Sequence, residues 1–193
     1  LPDNAEKTLF DTYEDMLNFI NIIEKAGADR YTVHARIAVL AGLDPKQNRE
    51  VPPLRYDEVY RLKAEKPYMQ IEINGGIKTK EDITEHLKYV DCVMVGREFY
   101  DNPMFLAEVN SFYNNGEENI SRYEILEKMI PYLEKMEMNN ERTHLFLRHT
   151  LGLFHNVKGS KYWKNSISSQ NLKNNKGSLI IREILKNSKE CEI

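Results

Sequence analysis

Two glycine-bearing segments hold the residue types best suited to chemistry in this chain, Ile71-Glu72-Ile73-Asn74-Gly75-Gly76 and Cys92-Val93-Met94-Val95-Gly96-Arg97. Each is a strand-like run that ends in glycine, and one helix-sized segment separates them. In a (β/α)8 barrel the loops after strands 7 and 8 commonly hold a cofactor phosphate, because glycines there let backbone N–H groups approach its oxygens. Arg97 adds a charged, bidentate donor, so the two ends together read as a phosphate clamp. A third strand end, Tyr31-Thr32-Val33-His34 followed by Arg36, brings an imidazole and a second guanidinium. Barrel active sites sit where the strands run out, which makes His34, Arg36, Asn74, Gly75, Gly76, Gly96 and Arg97 the candidate set. Singly, each has a plainer reading: His34 as a structural hydrogen bonder, Gly75-Gly76 as a turn, Arg97 as a surface partner of Glu98 or Asp101. Three such ends in one order favour the functional reading.

The elements that must position these residues follow from periodicity. Asp11 to Ala26 carries apolar residues at Met16, Leu17, Ile20 and Ile23 with Gly27 just beyond, an amphipathic helix with a glycine stop. After the strand ending at His34, Ala35 to Pro53 reads as a long polar connection with Gly42, Pro45 and Pro52-Pro53. Long loops in compact domains are often functional. A helix at 56–65, a strand at 69–73, a helix at 80–89 and a strand at 90–95 come next. Thr79 is the expected N-cap of the last helix, with Asp82 at its third position. Strands alternating with helices at this spacing predict βα units and a parallel sheet. From Ser121 onward the pattern predicts helices only, near 122–139, 142–151, 160–169 and 177–187, with a boundary near 112–120. The fold class is α/β: the C-terminal part of a (β/α)8 TIM barrel over residues 1–115, its last three strands, followed by a small all-α helical domain over 116–193.

At 193 residues the chain is too short for a whole barrel, which takes roughly 250. It begins with Leu1, and three strands cannot close a barrel, so the expectation is a piece of a longer protein that would be marginal or aggregation-prone alone. No apolar run approaches the roughly 18 residues of a membrane span, and no signal or transit pattern precedes Thr12. The expectation is a cytoplasmic protein without a membrane partner, an organelle being the other possible compartment, and monomeric at full length. The two cysteines, Cys92 and Cys191, make no metal-ligand spacing and no disulfide framework, so a reducing compartment and no metal are expected. Cys92, among Val93, Met94 and Val95, reads as an inert core thiol. The formal net charge is −3, but residues 142–186 hold nine Lys and Arg against one acid, Glu183. That asymmetry points to a polyanion partner, nucleic acid above all.

Here the residues meet a known pattern. His34-Ala35-Arg36 followed by Gly42-Leu43-Asp44-Pro45-Lys46-Gln47-Asn48-Arg49-Glu50-Val51-Pro52-Pro53-Leu54 resembles the signature of the tRNA-dihydrouridine synthases, subgroup A. Ile73 to Ile77, Val93 to Pro103, Arg148-His149-Thr150-Leu151-Gly152-Leu153-Phe154 and the Trp163 region are similar to the same family in order and spacing. The resemblance implies reduction of uridine to 5,6-dihydrouridine in the tRNA D-loop, with FMN as hydride carrier and NADPH as reductant. It places His34 near the flavin ring, Asn74, Gly75 and Gly76 around the ribityl phosphate, and Gly96 with Arg97 on that phosphate. Arg36 falls at the flavin or the substrate base. Lys46 and Arg49 on the long loop, and Lys161 and Lys164 flanking Trp163, fall at tRNA-contacting positions. The plainer reading of Trp163 is a core anchor with exposed lysines around it.

Family members carry their catalytic cysteine in an Asn-Pro-Gly-Cys segment of the first half, and a flavin-binding lysine on an early strand. Neither stands in this sequence, so no catalytic residue is assigned and the acid is expected upstream. Two readings compete with a fragment of this flavoenzyme. One is a non-catalytic tRNA-binding module from a split or degenerate gene. The other is a different phosphate-binding barrel, such as a dihydroorotate dehydrogenase-like flavoprotein, against which the Arg49 loop and the basic helical region count.

Overall fold

A computed structural model describes residues 12–39, 42–114, 120–172 and 176–190. Leu1, Lys173 and Cys191 lie outside the described residues. In packing the chain divides into two compact units, Leu1–Gly96 and Arg97–Ile193.

The first unit is built from βα repeats. Helix α1 (Tyr13–Lys25) starts at Thr12, whose side chain accepts from the Asp15 N–H while the Asp15 carboxylate accepts from the Thr12 N–H. This reciprocal cap satisfies two donors that a helix start leaves unpaired. Strand β1 (Arg30–His34), helix α2 (Pro45–Glu50), helix α3 (Tyr56–Glu65), strand β2 (Gln70–Asn74), helix α4 (Lys80–His86) and strand β3 (Cys92–Met94) follow. The expected Thr79 cap of α4 is present, with Asp82 reciprocating. The three strands form one parallel sheet in the order β1-β2-β3, as the alternating pattern requires.

Parallel strands buried on both faces usually read as continuous apolar runs. These alternate. Tyr31, Ile71 and Ile73 are buried on one face, whereas Arg30, Thr32, His34, Gln70, Glu72 and Asn74 occupy the other. Two departures from the sequence reading stand out. The connection after β1 is not irregular throughout, because Asp44 caps the short helix α2 within it. Cys92 is half-buried rather than a core thiol, because β3 is an edge of the sheet among the described residues. The outer side of β1 borders a cavity of about 770 Å³ lined by Phe19, Ile22, Ile23 and Val33.

The second unit is helical, as expected from Ser121 onward. It comprises α5 (Arg97–Asp101), α6 (Pro103–Tyr113), α7 (Arg122–Met138), α8 (Thr143–Leu147), a 3-10 helix (Arg148–Phe154), α9 (Ser160–Ser166), α10 (Ser169–Leu172) and α11 (Gly177–Glu190). The expected single helix at 142–151 is thus α8 tightening into a 3-10 turn. Leu126, Leu133, Leu147, Trp163 and Ile181 form the centre of its core. Trp163 is 1% exposed, donates its Nε1–H to the Thr150 carbonyl at 2.9 Å and packs on Phe154. It is the core anchor of this unit, its one polar atom satisfied. Glu137 accepts from both the N–H and the hydroxyl of Ser178, joining α7 to α11. Among the described residues no helix is long and apolar enough to cross a membrane.

His86 gives the first unit an acid-sensitive point. It is 4% exposed, edge-on to Tyr56, with the Tyr60 hydroxyl 2.6 Å from its Nδ1. Burial pushes its pKa below the ordinary 6.5, and Asp82 and Glu85 oppose this only in part. The unfolded chain therefore takes up a proton before the folded one does. The stability this neutral imidazole supplies is present above pH 6.5 and is lost as the pH falls below that value toward the lowered native pKa. The urea midpoint should drop between about pH 7 and pH 5. His86→Gln should flatten that drop, and an equally steep drop in the variant rules out His86 as its source.

Candidate functional site

The register of the sheet levels the strand ends that the sequence nominates. His34 pairs with Asn74, and Asn74 pairs with Met94. The Asn74 amide donates to the Met94 carbonyl at 3.1 Å, fastening the two glycine-bearing strands at their ends. His34 is exposed at this rim, its Nδ1 3.2 Å from both the amide nitrogen and the carbonyl oxygen of Arg36. Gly96 and Arg97, two and three residues beyond Met94, are exposed as well.

Gly75 and Gly76 turn the chain out of β2 with φ of +121° and +72°, values that side chains strain to reach. Neighbours also occupy the space a side chain would need. A Cβ on Gly76 would lie 2.6 Å from Leu54 Cδ1 and 3.0 Å from the Tyr56 hydroxyl; one on Gly75 would meet Leu54 at 3.1 Å and His34 Cε1 at 3.3 Å. Tyr56 donates to the Gly75 carbonyl at 2.7 Å. Burial raises the Tyr56 pKa, Asp82 adds to the rise and Arg36 opposes it, so the phenol stays a donor. Two consecutive positive-φ glycines leave the backbone of this turn without side chains of its own. A turn bare of side chains suits a phosphate group, whose oxygens need close backbone approach.

Leu54 and Tyr56 reach the turn because the 36–54 excursion closes on itself. Ala35 N–H donates to the Asn74 carbonyl at 2.8 Å, Arg55 N–H donates back to the Ala35 carbonyl at 2.6 Å, and Arg36 forms a bridge with Leu54. Within the excursion Asn48 accepts from Val39 N–H at 2.7 Å and donates to the Val39 carbonyl at 2.8 Å. Arg36 Nη1 donates to the Glu50 carbonyl at 2.9 Å and to the Pro52 carbonyl, so this guanidinium fastens the loop. Helix α2 carries Lys46 and Arg49, both exposed and three residues apart, hence neighbours on its surface.

On the polar face of the sheet, Glu72 is 5% exposed, accepts from the Thr32 hydroxyl at 2.6 Å and pairs with Arg30. Sequence reasoning missed this triad, and its signal was the alternation Arg30, Thr32, His34 against Gln70, Glu72, Asn74. It missed Leu54 and Tyr56 as well, since nothing local marks a side chain that packs under a turn 19 residues away.

In the second unit the nominated lysines part company. Lys164 borders a cavity of about 450 Å³ together with Arg148, His149, His155 and Tyr100, whereas Lys161 is exposed outside it. Among the described residues no group of three or more His, Cys, Asp or Glu is placed to hold a metal ion.

The chain belongs to the dihydrouridine synthase family, whose description, Dihydrouridine synthase (Dus), matches residues 6–189. It is similar to proteins named tRNA-dihydrouridine(20/20a) synthase: 43% identical over 93% of this chain and 54% of the relative from Synechocystis sp., and 41% over 91% and 54% for Vibrio vulnificus. A third, from Pseudomonas aeruginosa, is 43% identical over 82% of this chain and 48% of the relative. The chain spans about half the length of the curated relatives it matches.

Gly76→Ala should lower stability by roughly 1–3 kcal/mol, combining a strained φ with the Leu54 contact. Urea unfolding reads this directly, and an unchanged midpoint would show that the turn is not packed as described.

Proposed function

We propose that this chain is the C-terminal part of an FMN-dependent tRNA-dihydrouridine synthase that reduces uridine to 5,6-dihydrouridine in the tRNA D-loop with NADPH as reductant. The observation that carries the reading is the double-glycine turn packed against Leu54, Tyr56 and His34 at the levelled strand ends of a family member. Among the described residues no strand pairs with the outer side of β1, and that edge with its apolar cavity supports the view that further strands of a (β/α)8 TIM barrel pack there.

In this reading residues 1–115 are the FMN-binding portion and 116–193 the tRNA-binding domain. Asn74, Gly75 and Gly76 hold the ribityl phosphate, with Gly96 and Arg97 closing on it, and His34 stands at the rim facing the ring system. The flavin, when bound, supplies the hydride chemistry, while the protein binds and orients it. Arg36 serves the substrate side through the loop it fastens, and Lys46 and Arg49 on α2 present paired cations to the RNA backbone. Lys161 and Lys164 add phosphate contacts, which set affinity and its salt dependence more than sequence choice. The acid that protonates the uracil ring is a cysteine from the upstream half. A monomeric, cytoplasmic enzyme goes with a free tRNA substrate. The half-length match also suits a second reading, a tRNA-binding module without catalysis.

Sequencing the transcript upstream of the Leu1 codon separates the two. An in-frame half-barrel with an Asn-Pro-Gly-Cys segment supports the enzyme, and a nearby initiator supports the module. In the protein at its natural length, Arg97→Ala should weaken flavin retention by about 1.5–3 kcal/mol, one charge-assisted phosphate contact. Flavin occupancy equal to wild type rejects the clamp. Lys161→Glu with Lys164→Glu should spare flavin binding and weaken tRNA binding with a shallower salt slope; an unaltered slope returns both lysines to solvent-exposed charges.

A further inference from the structure

The 450 Å³ cavity of the second unit is framed by α5, the 3-10 helix and the start of α9, and its polar lining is one-sided. Arg148, His149, His155 and Lys164 face Asp101 as the single acid. Its walls come close at Gly152: a Cβ there would lie 2.2 Å from the Asp101 carbonyl oxygen, so α5 and the 3-10 helix touch where any side chain would part them.

Within this lining the hydrogen bonds have a direction. Arg148 Nε donates to His149 Nε2 at 3.2 Å, and a guanidinium has no acceptor to offer in return. His149 Nε2 is thus the acceptor nitrogen, and in the neutral ring the proton sits on Nδ1. The Tyr100 hydroxyl oxygen lies 2.8 Å from that Nδ1 and accepts a hydrogen bond from its N–H. The phenolic O–H, relieved of donating to the histidine, is left as a donor for whatever enters the cavity. Arg148 keeps its remaining N–H groups, and Lys164 brings a second cation. A strong charge, a point charge and an oriented neutral donor around a cleft of small-ligand size make a seat for one oxyanion with the group attached to it.

We propose that this cavity seats a single phosphodiester of the RNA backbone, with Arg148 and Lys164 as its cations and Tyr100, positioned by His149, as its neutral donor. The inference rests on the tRNA reading above, makes it specific, since Lys164 belongs to a built seat whereas Lys161 lies outside it, and extends the RNA contact to Tyr100, which precedes the 116–193 domain of that reading.

The test measures binding of an unmodified tRNA transcript to the protein at its natural length across a series of KCl concentrations. Arg148→Gln and Lys164→Gln should each weaken binding roughly tenfold at moderate salt and lower the salt slope by about one. Tyr100→Phe should weaken it several-fold with the slope unchanged, because a neutral donor releases no counterion. Tyr100 is 56% exposed and Arg148 is exposed, so these variants leave the core alone, and unaltered unfolding midpoints check that. Wild-type affinity and slope in both charge variants, beside a wild type that binds tRNA, overturn the seat and leave the tRNA reading standing. A wild type that does not bind tRNA overturns both.

Discussion

The candidate site depends on the chain's return to the end of β1. Once Ala35 has donated to the Asn74 carbonyl and accepted from Arg55, the 19 residues between 36 and 54 must leave the sheet and come back to the same point. That closure delivers Leu54 beneath Gly75 and Gly76, and Tyr56 to the Gly75 carbonyl. Without it the glycine turn would be an open corner, free in φ and in direction. With it, the turn is packed on Leu54 and Tyr56, and its constraint comes from contacts distant in sequence.

A second constraint is electrostatic. The sheet presents a polar face, and Glu72 is nearly removed from water there, a placement that costs several kcal/mol for an unpartnered carboxylate. Thr32 and Arg30 offset that cost from the neighbouring strand. The parallel register that pairs Thr32 with Glu72 is the same one that pairs His34 with Asn74. A slip by one residue would unpair the buried acid and scatter the strand ends at once, so one register serves stability and site geometry together.

Much of this was legible in the sequence for identifiable reasons. Caps are local, and Thr79 with Asp82 gave away the start of α4; the alternation of elements gave away the parallel sheet. Glycine at two strand ends pointed to the turn because few residues tolerate its φ. The short helix α2 is hidden in the sequence although Asp44 and Gln47 form a capping box, because Gly42 and three prolines dominate that stretch. Cys92 was misjudged because apolar neighbours in sequence say nothing about which strand forms an edge. The partners of Lys164 were hidden for a related reason. Tyr100, Arg148 and Lys164 belong to three separate elements, and only tertiary packing brings them to one cavity.

The internal fastening of the 36–54 excursion also bears on the entropy of association. Lys46 and Arg49 ride on a helix capped at its start by Asp44, tied through Asn48 to Val39 and held at its end by Arg36 on the Glu50 and Pro52 carbonyls. Two cations on a limp loop would surrender backbone freedom each time they met a polyanion. In helix α2 folding has already taken that loss, so under the proposed tRNA reading contact there would order little more than two side chains. The fastened stretch from Asp44 to Pro52 therefore carries its cations outward without the floppiness that a long connection ordinarily brings.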